Sequence, residues 1–375
     1  MPKLLFVVHG MGDNLPGWST DLVDFLDLAL SQYPPFDAED HPFRARVKVE
    51  EICYDPVFDK TIEPWGRDRA KLDQWTRDNG ITLDDTLTEL GVGQLPHATA
   101  GFIWETLLDP VLYRGSPIVH DKVRAVVIKQ FIDAWDDHLS STPGAEQLDV
   151  SILCHSQGTI VMSDVLAIIG EERLSEFKSF SADKRSIECL ITLANVTRLG
   201  PGPLIDIDSL TTCVRPQTAP LWSPGKVNYL RRYINARHKL DPFCLFQRFA
   251  PAQNWGNRYR LIDDLDHIHQ ASTHGYKHYL AHPRVHIPLF RAVIDPDVIS
   301  PQQEQQAIAT FPPVMPPDCA AAISTLRQQL NDLCDEPVDE NRSLDQWITK
   351  GISFFEAVKE AVNACSSLVE GLADD

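Results

Sequence analysis

The sequence predicts an α/β fold built on a mostly parallel, doubly wound sheet. Two observations carry this expectation. Short apolar runs rich in Val, Ile and Leu recur along the chain, as in strands buried on both faces. Between them lie longer stretches with apolar residues at helical spacing, so strand and helix alternate and the strands run parallel. A third observation marks the working end. Two of the strand-like runs close on tight segments that combine glycine with a polar side chain, at 9–13 and at 154–158.

In chain order, Lys3–Val8 reads as a buried strand ending in His9-Gly10-Met11-Gly12-Asp13. Ser19 and Thr20 can cap a helix whose apolar face is Leu22, Phe25, Leu26, Ala29 and Leu30, and Pro34-Pro35 ends it. Arg46–Tyr54 alternates as a strand and closes at Asp55-Pro56. Residues 57 to about 115 break the alternation and hold Trp65, Trp75 and Trp104. They are expected to form a helical cap over the site. The whole insertion runs over about 57–140, with the apolar piece Phe102–Leu108 inside it and the long helix Val119–Leu139 at its end.

Asp149–Cys154 is the next strand, and Thr159–Ile169 the helix after it, stopped at Gly170. Ile187–Ala194, Val227–Asn235 and Tyr259–Ile262 read as the remaining strands. Pro301–Gln306, Pro312-Pro313 and Pro316-Pro317 read as a linker. Cys319–Leu333 and Ser343–Leu372 follow as helices that pack on the core or on a second copy of the chain. The expected division is 1–298 for the α/β domain and 299–375 for linker and C-terminal helical extension, a candidate surface for self-association.

Composition narrows the function. A formal charge of −19 argues against nucleic acid, because phosphate backbones require Lys and Arg. The eight cysteines form no C-x-x-C pair, which favours a reducing compartment. Leu4–Val8 is short for a signal-peptide core, and no apolar run reaches membrane-spanning length. A cytoplasmic protein without an integral membrane span is therefore expected.

The chemistry lies in Cys154-His155-Ser156-Gln157-Gly158, between a strand and a helix. A serine on such a turn is the layout of a nucleophile elbow, whose strain pushes Oγ clear of the sheet. Positions two before and two after the serine must be small. Gly158 meets this, and Cys154 stands where the usual G-x-S-x-G pattern has its first glycine. With His9-Gly10-Met11-Gly12 after the first strand, the chain resembles the α/β-hydrolase superfamily in its lipase and esterase branch, over roughly residues 3–295. The resemblance implies oxyanion donors at the backbone N–H groups of Met11 and Gln157. Gly10, Gly12 and His155 would line the substrate site.

The family order is serine, acid, histidine. Ser156, Asp241 and His274 satisfy it, with Asp241-Pro242 after a strand and His274-Gly275-Tyr276 before a helix. The rivals for the base are His278, His267 and His269, and for the acid Asp263, Asp264 and Asp266. The expected reaction is cleavage of a small-molecule or lipid carboxylic ester through an acyl-enzyme. An acyltransferase or thioesterase with the same triad, and a non-catalytic binding or signalling module, stand as alternatives.

His267 with His269, and the i,i+4 series His274, His278, His282 and His286, carry the residue type of a metal site. The H-E-x-x-H arrangement is absent, however, and no acid falls within the H-x-x-x-H spacings. Neither a phosphate loop nor a dinucleotide fingerprint occurs. No metal and no cofactor are therefore expected.

Overall fold

Successive side chains of a strand point to opposite faces, and in the central strands both faces are apolar. Leu4, Phe6 and Val8 belong to one core cluster, and Leu5 and Val7 to the other. Such strands must be covered on both sides, and the chain supplies helices for each. The computed structural model describes residues 3–10, 14–62, 113, 117–142, 148–170, 187–197, 230–239, 241, 257–267, 274–311, 321, 324 and 325.

Among these residues the order is β1 (Lys3–Val8), α1 (Ser19–Ser31), β2 (Val47–Ile52), α2 (Asp55–Ile62), α3 (Pro117–Ser141), β3 (Asp149–His155) and α4 (Gln157–Gly170). Then come β4 (Ile187–Leu193), β5 (Leu230–His238), β6 (Tyr259–Leu265), α5 (Tyr276–Ala281), α6 (Pro283–Val293) and α7 (Pro301–Thr310). The strands form a six-stranded sheet of order β2-β1-β3-β4-β5-β6. Every neighbouring pair is parallel. Residues of α2, α3 and α4 pack on one face, and residues of α1, α5 and α6 on the other. The expected parallel α/β sheet, covered on both faces, is thus present.

The strand order fixes where a site can form. The chain leaves β1 for β2 on one side, then returns through α3 to β3 on the other. Its direction across the sheet reverses between β1 and β3. At such a switch point the loops leaving two adjacent strands part, and a crevice opens at their carboxyl ends. Val8 pairs with Cys154 there, so His9-Gly10 and His155-Ser156 leave the sheet side by side.

Three local readings change. Ser19 and Thr20 lie inside α1, whose cap position is Trp18 with no side-chain cap bond. The orphan N–H groups are met from β2 instead, where the Glu51 carboxylate accepts Gly17 N–H at 2.7 Å and Ser19 N–H at 2.9 Å. A carboxylate at a helix N-terminus also complements the helix dipole.

The fifth strand runs on through Ala236-Arg237-His238, past the expected end at Asn235, because β6 pairs with Ala236 and His238. The expected linker begins as α7. Ser300 and Gln303 form a capping box with Pro301 in the first turn, where proline starts a helix rather than breaking one. Arg291 to Glu304 at 2.5 Å and Gln303 to the Pro34 carbonyl at 2.7 Å hold α7 to the domain.

Within the expected 57–140 insertion, residues 63–112 lie outside the described residues. Its closing helix α3 packs on the sheet, with Phe131 4.5 Å from Phe6 between ring centroids. Of the C-terminal extension beyond Phe311, the described residues are 321, 324 and 325.

Candidate active site

The turn between β3 and α4 carries Ser156 at φ 50°, a left-handed conformation that a side chain resists. It is held from outside, since Ser156 N–H donates to the Leu193 carbonyl at the end of β4, 3.0 Å away. Thr159 closes the other side, its N–H at 2.8 Å and its hydroxyl at 2.6 Å from the Ser156 carbonyl.

Two glycines make the close approach possible. A Cβ on Gly158 would stand 2.3 Å from the His9 carbonyl oxygen and 2.8 Å from that of Val8. A Cβ on Gly10 would stand 2.7 Å from Ser156 Cβ and 2.8 Å from His155 Nδ1. The backbone leaving β1 therefore lies directly on the serine turn. Cys154 is fully buried in the core, and burial raises its thiol pKa far above the ordinary value. It is a packing residue, small enough for the place where glycine was expected.

Ser156, His274 and Asp241 meet in a hydrogen-bonded line. His274 Nε2 lies 2.7 Å from Ser156 Oγ. His274 Nδ1 lies 3.0 and 2.9 Å from the two Asp241 carboxylate oxygens. Since a carboxylate can only accept, Nδ1 carries the proton and Nε2 offers its lone pair to the serine hydroxyl. Asp241 is fully buried and sits three residues beyond β5. Tyr279 of α5 donates its hydroxyl to Asp241 Oδ2 at 2.6 Å, and its oxygen accepts His238 N–H at 3.2 Å. Tyr279 is a site residue that the sequence reading missed. Its place five residues after His274, one helical turn into α5, was the available signal.

The expected lining residues divide. Gly10 stands against the serine turn, whereas Met11 and Gly12 lie outside the described residues. His155 holds His274 rather than facing outward, because its Nε2–H donates to the His274 carbonyl at 2.6 Å. Desolvation, followed by the neighbouring His274, pushes its pKa down to about 3, so it is a neutral strut. Gln157 opens α4. It is fully buried, and its side-chain amide has no hydrogen-bond partner among the described residues.

His9 is also neutral, held at a pKa of about 4 chiefly by burial. Its Nδ1–H donates to Gly10 O at 2.7 Å, and its Nε2 accepts Tyr54 N–H at 3.1 Å. The Tyr54 hydroxyl donates to the His9 carbonyl at 2.9 Å. The loop after β1 is therefore fixed from below.

The rivals lie elsewhere. His278 Nε2 faces His238 Nε2 at 3.2 Å and the His267 carbonyl at 3.0 Å. His269 lies outside the described residues. Asp263 pairs with Arg237 at 2.9 Å, and Asp264 with Arg284. The i,i+4 histidine series does not share one helix face, because α5 stops at Ala281 and α6 starts at Pro283, leaving His282 between them. His286 instead meets the Tyr33 hydroxyl at 2.6 Å.

A different trio, His238, His267 and His278, brings ring nitrogens within 4.8 Å of one another and could hold a metal ion. Among the described residues, no helix is long and apolar enough to cross a membrane. Comparison with protein families, curated proteins and solved structures finds no match to the chain.

Proposed function

We propose that the chain is a serine hydrolase of α/β-hydrolase type that cleaves a carboxylic ester through an acyl-enzyme. The observation that carries the reading is the line from Asp241 to His274 to Ser156, with 2.7 Å between His274 Nε2 and Ser156 Oγ. A serine hydroxyl is a weak nucleophile near neutral pH and needs a base within hydrogen-bond reach. His274 takes the proton as Oγ attacks the ester carbonyl. Asp241 stabilises the imidazolium and keeps the tautomer that leaves Nε2 open. His274 then gives the proton to the departing alcohol. Water, activated by the same imidazole, releases the acid in the second half-reaction.

The tetrahedral oxyanion needs donors aimed at it. The N–H of Gln157, at the start of α4, is one candidate, and the loop after Gly10 would supply the other from Met11. The switch point between β1 and β3 supports the same reading, because it brings Ser156 beside His9-Gly10 at the carboxyl ends of the two strands. The test is labelling with a fluorophosphonate probe beside turnover of p-nitrophenyl esters. Wild type should label and turn over, whereas Ser156→Ala and His274→Ala should do neither. Equal labelling of wild type and Ser156→Ala removes the nucleophile and with it the proposal.

A further inference from the structure

We propose that the buried side chain of Gln157 selects the acyl half of the substrate, favouring esters whose acyl chain carries an amide or hydroxyl group close to the scissile carbonyl. The inference rests on the serine hydrolase reading and gives that reading a substrate class. Gln157 follows Ser156 directly and opens α4. It is 0% exposed, and neither the nitrogen nor the oxygen of its side-chain amide has a hydrogen-bond partner among the described residues. The polar side chains around it are committed. His155 donates to the His274 carbonyl, Thr159 to the Ser156 carbonyl, and His9 lies between Gly10 O and Tyr54 N–H. A buried amide left unpaired costs free energy that folded chains ordinarily avoid. Beside a nucleophile, such a breach of a packing rule marks a group kept for a ligand.

The placement gives the amide its role. Gln157, Val161 and Asp164 follow one another at helical spacing and share a face of α4. That face turns toward α3, since Asp164 Oδ2 accepts the Tyr113 hydroxyl at 2.7 Å and meets His120 Nε2 at 2.9 Å. Helix α5, which follows His274, packs on the opposite face of the sheet. Gln157 and His274 thus approach Ser156 from the two faces. His274 protonates the departing alcohol, so the alcohol half lies beside His274 and the acyl half falls toward α4.

A carboxamide offers two N–H donors and one acceptor oxygen. Its complement is a group that both donates and accepts, as an acylamino or hydroxyl group does. An alkyl chain leaves all of these unpaired. Ser156 beside it is only 1% exposed, so the pairing forms away from bulk water, where a hydrogen bond weighs more. The side chain makes and breaks no bond. It fixes the acyl chain so that the carbonyl faces Oγ.

The experiment compares two esters of nearly equal shape, p-nitrophenyl N-acetylglycinate and p-nitrophenyl 4-methylpentanoate. For each, kcat/KM is divided by the rate of hydroxide-catalysed hydrolysis, which removes intrinsic reactivity. On that scale wild type should favour the N-acetylglycinate by about ten- to a hundredfold. In Gln157→Met the preference should vanish. Any disturbance of the Gln157 backbone N–H acts on both esters and cancels in the ratio. The melting temperature supplies a readout that a structural role would move the other way. Exchanging an unpaired buried amide for an apolar chain of similar length should leave it unchanged or raise it.

A wild type that labels with the fluorophosphonate probe yet shows no preference would overturn this assignment alone. So would a preference that survives in Gln157→Met, or a lower melting temperature in that variant, which would show that the amide has a partner in the fold. A wild type that neither labels nor turns over either ester would remove the hydrolase reading and this one with it. Should Gln157→Met not fold, Gln157→Leu and the wild-type ratio decide by the same criteria.

Discussion

Ser156, His274 and Asp241 are joined in one hydrogen-bonded line, so under the proposed mechanism changes there should read in rate more than in binding. Asp241→Asn removes the acceptor that holds His274 in its tautomer. We expect kcat on a p-nitrophenyl ester to fall about 10⁴-fold with KM little changed. Steady-state kinetics check this, and a loss under about tenfold would free Asp241 from the role. Gly158→Ala reads in stability instead. Its Cβ meets backbone carbonyls at 2.3 and 2.8 Å, which cannot swing away as a side chain could. A loss of about 1–3 kcal/mol is expected from such overpacking, measured by urea unfolding. That Ser156, Asp241 and His274 come together was legible because the elbow, the Asp-Pro after a strand and the His before a helix are local signals. The partners of His155 and Tyr279 were not, because both are set by packing between segments more than a hundred residues apart in the case of His155 and His274.

At the scale of elements, buried strands announce themselves and ends do not. β1, β3 and β4 follow directly from apolar runs, since a strand buried on both faces has little freedom in composition, whereas the largely uncovered β6 runs on to Leu265, past the expected end at Ile262. β5 was set early by three residues because Arg237 and His238 look like loop. Inside the sheet Arg237 reaches Asp263, and His238 joins two other imidazoles. The Pro-Gln segment misled for another reason. Its composition is that of a linker, yet Ser300 and Gln303 cap it reciprocally. Ser300→Ala should therefore cost about 0.5–2 kcal/mol, read as a lower midpoint in urea. An unchanged midpoint would mean that α7 adds nothing to the fold. Glu51→Ala should destabilise α1 by a similar amount, about 1 kcal/mol, since it strips the two N–H groups of their acceptor. Thermal melts would register it, with no effect on esterase turnover.

For the whole molecule, buried neutral histidines set the response to acid. His9 and His286 are held near pKa 4 and His155 near 3, each chiefly by burial, against an ordinary 6.5. Above that ordinary value neither folded nor unfolded chain binds these protons, and stability is complete. Between there and about 4 the unfolded chain takes up protons that the folded chain refuses. Stability should then drop by up to about 1.4 kcal/mol per pH unit per group. Urea titrations at pH 7.5 and 5.5, on either side of that ordinary value, check the sign; greater stability at the lower pH would mean that these rings are charged in the fold. The sheet order itself could not be read from the sequence, because pairing between distant strands leaves no local mark. That order also has a temporal side. Ser156 follows the third of the described strands, while His274 comes 118 residues later, beyond the sixth. During synthesis the hydroxyl leaves the ribosome long before the imidazole that would deprotonate it. On the proposed mechanism the nascent chain would stay unreactive at this serine until the segment that carries His274 and Tyr279 docks.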